Sequence, residues 1–154
     1  MIFPFSIKCK RKFKEIISSE DFDTVMSYIQ DYIDAKTCEN TTVNGLTLTY
    51  KTGSFRNKWN TDILATVERG KFELINVESE NILTYEFFMY HLFLGAFLIS
   101  IIFGLFSSEI WTGVFCFAWL GGMNWLIATI RHRLMLRDIV LEIENRINKK
   151  KGCL

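Results

Sequence analysis

Phe87 to Phe106 reads FFMYHLFLGAFLISIIFGLF, and Ile110 to Ile130 reads IWTGVFCFAWLGGMNWLIATI. These runs of 20 and 21 residues contain no formally charged side chain. At about 1.5 Å of rise per residue, each reaches about 30 Å as a helix, the thickness of a bilayer's hydrocarbon core. Only Ser107-Ser108-Glu109 separates them, so the two must run antiparallel as a helical hairpin. The alternative is a pair of wholly buried helices in a soluble protein. That needs enough surrounding chain to cover both on all sides, and a chain of 154 residues has little to spare.

The flanking charges orient this hairpin. The connecting loop carries no Lys or Arg, whereas Arg131, Arg133 and Arg137 follow the second run, then Arg146 and Lys149 to Lys151. Basic flanks stay on the cytoplasmic side, so the C-terminus is expected inside, and two spans return the N-terminal region to the same side. The cluster Lys8 to Lys14 (KCKRKFK) agrees with this. Trp111 towards the outer boundary, and Tyr85, Tyr90 and Trp125 towards the inner one, are expected interface anchors. The compact size, absence of a cleavable signal pattern and Lys/Ile/Asn-rich composition point to a bacterial inner membrane. Nor does the ending KKKGCL match a prenylation box, because Cys153 is second from the end.

Outside the hairpin the composition is that of a folded domain. Residues 1–85 hold 11 Lys and Arg against 12 Asp and Glu, a net of −1, so no electrostatic footprint for nucleic acid exists there. Residues 131–154 carry seven basic and three acidic groups. Phe22, Val25, Met26, Ile29 and Ile33 form an apolar stripe behind Ser18, Ser19, Glu20 and Asp21, predicting a helix over Glu20 to Lys36. Alternation predicts strands at Leu46 to Lys51, Ile63 to Val67, from Phe72, and at Ile82 to Tyr85, with a first strand within Ile7 to Ile17.

The expected architecture is a membrane α+β protein. Residues 1–86 form a β-α-β-β-β-β domain with a mostly antiparallel sheet, and 87–130 form the transmembrane hairpin. Residues 131–154 form an amphipathic helix and basic tail. Leu136, Ile139 or Val140, Ile143 and Ile147 keep helical spacing. This stripe calls for a partner, either the open face of the sheet or another chain in a coiled coil.

Motifs for chemistry are scarce. No glycine-rich phosphate loop, GxSxG elbow, HExxH or CxxC occurs, and with His91 and His132 as the only histidines no multi-histidine metal site exists within one chain. Cys9, Cys38, Cys116 and Cys153 are widely spaced and expected to be free thiols. No catalytic residue, metal site or cofactor is assigned. Asp31 and Asp34 read as a solvated acidic face.

Polar groups inside the runs carry more weight, since burial in lipid is costly. His91 and Asn124 fall at similar depth and are expected either to hydrogen-bond as a structural pair or, with Glu86, to form a proton or ligand site. Ala96, Ser100 and Gly104 repeat every four residues, and Ala118, Gly121, Gly122 and Ala128 supply small positions on the second run. One such face would close the hairpin, leaving another for a second copy or a different membrane protein. Phe55, Arg56, Lys58 and Trp59 mix aromatic and basic groups that either pack at the sheet edge or contact lipid head groups, as Arg131 and Arg133 would.

The expected partners are the bilayer, its anionic head groups, and this chain or another membrane protein. The leading functional expectation is a membrane-anchored binding or scaffolding module in an oligomeric assembly. The rivals are a membrane-bound enzyme acting on a lipid or small polar substrate and, below it, a pore or transporter element.

Overall fold

The computed structural model describes residues 6–36, 39–52, 64, 67–77, 80–107 and 109–151. Strand β1 (Ser6–Lys12) leads through a 3-10 turn (Ser19–Asp21) into helix α1 (Phe22–Ala35). Four strands follow: β2 (Glu39–Asn44), β3 (Thr47–Lys51), β4 (Arg69–Val77) and β5 (Glu80–Phe88). They form one sheet in the order β1-β5-β4-β3-β2, antiparallel at every pair. The fold is therefore α+β, with two long apolar helices after the sheet.

The strand count matches the expectation, but two of its parts do not. At the predicted strand Ile63 to Val67, Leu64 lies in a 3-10 turn and Val67 is outside regular structure, while the other residues of that stretch lie outside the described residues. In its place stands β2, which carries Thr41, Thr42 and Val43 at an open edge. Its hairpin with β3 turns at Gly45, whose φ of +58° suits glycine at the first position of a two-residue turn.

One face of the sheet is the core. Alternation puts Cys9, Leu48, Tyr50, Phe72, Leu74, Leu83, Tyr85 and Phe87 on it, all buried. Helix α1 lays Val25, Met26, Ile29 and Ile33 over it from the β2–β3 side. The other half is covered by a helix from the far end of the chain. Helix α2 (Tyr90–Ser107) rises from β5 and returns as α3 (Ile110–Phe117), which continues through a π turn (Ala118–Met123) into α4 (Asn124–Lys151). From Ile110 to Lys151 the helix is unbroken over 42 residues, about 63 Å at 1.5 Å per residue, twice a bilayer core. Its second half buries Leu136, Ile139, Val140, Ile143 and Ile147 against the sheet. The stripe that needed a partner finds it in its own chain.

Helices α1 and α4 run antiparallel. Lys150 Nζ at the end of α4 lies 3.3 Å from Asp21 Oδ1 at the start of α1, and the Arg146 guanidinium sits 4.5 Å from the Tyr28 ring centroid. The C-terminal end of α1 therefore points towards the hairpin.

The first apolar helix begins at Tyr90, not Phe87. Phe87 is fully buried beside His132 with ring centroids 4.2 Å apart, and Met89 is buried too. Phe87, Phe88 and Met89 finish the domain. Tyr85, expected at a membrane interface, is likewise a core residue of β5. An uncharged run does not reveal where a buried strand ends and an apolar helix starts, because both environments select the same side chains.

Candidate functional site

Of the expected polar residues, His91 lies where the hairpin meets the domain, but its partner is not an expected one. With α2 starting at Tyr90, His91 stands in its first turn. Glu68, on the approach to β4, caps this turn: Oε2 accepts from the Tyr90 N–H at 3.0 Å and Oε1 from the His91 N–H. The same Oε1 lies 2.6 Å from His91 Nδ1. A carboxylate here satisfies two orphan amide donors and meets the positive end of the helix dipole. Asn124 is exposed and has no hydrogen bond to His91. The anticipated His91–Asn124 pair is thus replaced by His91–Glu68, because the shift of the helix start moves His91 to the boundary.

A second polar chain crosses the core. The Tyr50 and Tyr85 hydroxyls are 2.6 Å apart, and Tyr85 Oη lies 3.4 Å from His132 Nδ1. His132 is fully buried, and its Nε2 has no hydrogen-bond partner among the described residues. Burial, reinforced by the neighbouring Arg131, lowers the His132 pKa to about 4, so the imidazole is neutral at pH 7. Cys9 is buried nearby. Burial pushes its thiol up against the opposing pull of the Arg133 charge. No sequence pattern assigns a role to Tyr50 or His132, and Tyr85 is expected there only as an interface anchor. A signal did exist: His132 continues the buried stripe of α4, seven residues after Trp125 and four before Leu136.

The small residues sort by face. Ala96 and Ser100 are buried towards the returning helix, and Gly104 backs onto Gly113. A Cβ on Gly113 would stand 2.8 Å from the Ser100 carbonyl oxygen and 3.3 Å from Gly104 Cα. One on Gly121 would meet Ala96 Cβ at 3.6 Å. Ala128 is also buried, at the edge of the domain core. Ala118 and Gly122 face outwards, and a Cβ on Gly122 would meet nothing within 4 Å. The hydroxyls of Ser100 and Thr129 donate to the carbonyls of Ala96 and Trp125 at 2.6 and 2.8 Å, so neither polar group is left open.

This sorting gives a paired prediction. Gly113→Leu should lower the stability of the protein by about 2 kcal/mol, because its side chain enters closely packed backbone. Gly122→Leu should change it by less than about 0.5 kcal/mol. Thermal unfolding of the two variants checks this, and equal midpoints would contradict the described helix contact.

Arg131 and Arg133 are exposed. Phe55, Arg56, Lys58 and Trp59 lie outside the described residues, as do Cys38 and Cys153. Among the described residues no group of three or more His, Cys, Asp or Glu side chains is placed to hold a metal ion. Comparison with known proteins finds no matching family model, no matching curated protein and no matching solved structure.

Proposed function

We propose that this chain is a membrane-anchored binding or scaffolding module, inserted by the α2–α3 hairpin with its sheet domain in the cytoplasm. We further infer that it is a subunit of a homo- or hetero-oligomeric assembly in a bacterial inner membrane. The observation that carries the reading is the outward-facing apolar surface of the hairpin. Only 11% and 17% of the two apolar windows are buried, while Phe97, Ile101, Phe103, Val114, Phe115 and Trp119 are exposed. Core helices of a soluble protein hide such residues, and a patch of this extent in water drives association. Lipid covers it at no cost.

The charge pattern supports the orientation, since Arg131, Arg133 and Arg137 follow the second span and the outer loop has no basic residue. The unbroken passage from α3 into α4 supports a scaffolding role. One helix serves both the anchor and the domain core, so the domain is held at a fixed angle to the membrane instead of hanging on a linker. The outward Ala118–Gly122 face supports the assembly reading, because the Ala96-Ser100-Gly104 stripe is already used within the hairpin.

Two measurements on the native membrane test this. The protein should remain in the pellet after an alkaline carbonate wash and enter solution only with detergent; release by carbonate alone would end the membrane reading. In lipid nanodiscs the extracted particle should contain more than one chain, and Gly122→Leu should reduce it to a monomer with an unchanged unfolding midpoint. A monomeric wild-type particle would remove the assembly reading while leaving the anchor intact.

A further inference from the structure

A cleft of about 400 Å³ opens between α1 and α4, lined by Tyr28 and Tyr32 on one helix and by Arg131, Asp138 and Glu142 on the other. Its chemistry is mixed in a particular order. Arg131 is the first residue after the apolar run of the second span, which places its guanidinium at the level of lipid phosphates. It makes no hydrogen bond or ion pair among the described residues. Asp138 lies seven residues further along the same face, about 10 Å away along the axis, and Glu142 one turn beyond that. The two tyrosine rings face them from α1.

This end of the cleft attracts cations. The protein's own Arg146 sits 4.5 Å from the Tyr28 ring centroid and Lys36 5.9 Å from that of Tyr32. Burial and the adjacent Glu142 push the Tyr28 phenol up against the pull of Arg146, so the phenol stays a neutral donor. Asp138 and Glu142 hold Arg137 at 3.1 Å and Arg146 at 3.3 Å, but all four side chains are about half exposed or more. Such pairs are weak, and each carboxylate retains lone pairs for another donor.

We propose that this cleft binds a zwitterionic phosphoamine head group, with Arg131 on the phosphate and Asp138 and Glu142, beside the Tyr28 and Tyr32 rings, on the ammonium. The axial rise of about 10 Å from Arg131 to Asp138 leaves room for a phosphoethanolamine with one charge-assisted hydrogen bond at each end. A primary ammonium fits better than a quaternary one, because carboxylates need N–H donors to bond. The lipid as its source rests on the membrane reading above; the cleft's chemistry would equally take a free phosphoamine.

The test uses the full chain in detergent micelles, with bound molecules counted by native mass spectrometry against dioctanoyl phosphatidylethanolamine and dioctanoyl phosphatidylglycerol. Phosphatidylethanolamine should bind more tightly. Asp138→Asn with Glu142→Gln should weaken it by about tenfold, one decade being about 1.4 kcal/mol, while leaving phosphatidylglycerol unchanged. Arg131→Gln should weaken both lipids. These positions are exposed, so the unfolding midpoint should not move, and it serves as the control. Competition by free phosphoethanolamine would identify a soluble source of the same chemistry; dependence on the acyl chains together with the carboxylates would identify the lipid. Equal affinity for the two lipids, or unchanged phosphatidylethanolamine binding in the double variant, would overturn the proposal. Carbonate extraction separates this from the anchor itself: a chain that stays in the pellet but shows no head-group preference loses the cleft reading only.

Discussion

Gly70→Ala is expected to cost several kcal/mol, although it adds a single methyl group. Gly70 stands opposite Tyr50 on β3 and Phe87 on β5. A Cβ there would lie 2.3 Å from Cε1 and Cζ of Tyr50 and 2.5 Å from its hydroxyl oxygen. No side chain tolerates that approach, and the Tyr50 ring that would have to move is buried. The backbone of β4 is bare at this point because an aromatic ring lies across it.

Moving the ring breaks the 2.6 Å contact between the Tyr50 and Tyr85 hydroxyls. Overpacking costs about 1–3 kcal/mol, and breaking a buried hydrogen bond costs about 0.5–1.5 kcal/mol more. A loss of about 1.5–4.5 kcal/mol is a large part of an ordinary stability margin of about 5–15 kcal/mol. Urea unfolding of the solubilised protein measures it. Tyr50→Leu in the Gly70→Ala background should recover part of the loss by vacating the space. A neutral Gly70→Ala would mean that the ring does not lie across β4.

What was readable in the sequence follows from how distinct each environment is. Helix α1 was legible because its stripe from Phe22 to Ile33 faces one core and its other face meets water. The paired strands β4 and β5 were legible for the equivalent reason at period two. Strand β2 was not: Glu39–Asn44 sits at the sheet's edge, with no apolar alternation to betray it. The apolar run hid its own boundary, since Phe87 satisfies a buried strand as well as a span.

The candidate site suffered from that one ambiguity. A start three residues later takes His91 from the depth of Asn124 to the helix end, where Glu68 meets it. Glu68 lies over 20 residues upstream, and no local spacing links the two. The role of Gly113 is hidden in the sequence for the same kind of reason. Its importance comes from Gly104 and the Ser100 carbonyl across the hairpin, a contact that depends on the rotation of two helices about their axes. Small residues announce that close packing occurs, not which face receives it.

Acidification is the second large perturbation, and its direction follows from His132. In the unfolded chain this imidazole has the ordinary pKa of about 6.5. In the fold it is lowered to about 4 by burial first and by Arg131 second. The unfolded state therefore binds the proton more readily, and stability falls as pH drops through the window between the two values. The groups around the ring offer no compensation: Tyr85 meets Nδ1 through a neutral hydroxyl, Phe87 stacks at 4.2 Å, and Arg131 is of like charge.

Linkage gives a loss of about 2 kcal/mol between pH 7 and pH 5, approaching about 3 kcal/mol by pH 4. The consequence is local before it is global. His132 sits two residues beyond the second apolar run and holds α4 against β5, so the protonated ring opposes the contact that joins the apolar hairpin to the sheet. Unfolding midpoints in urea at pH 7 and pH 5 should separate for the wild type and converge for His132→Gln, which keeps a polar group but cannot take the proton. Hydrogen exchange should report the opening first at Tyr85 to Phe88 and along α4 from Ala128 to Leu136. If His132→Gln retains the full wild-type loss between pH 7 and pH 5, the acid sensitivity belongs to other groups and the buried imidazole is not its source.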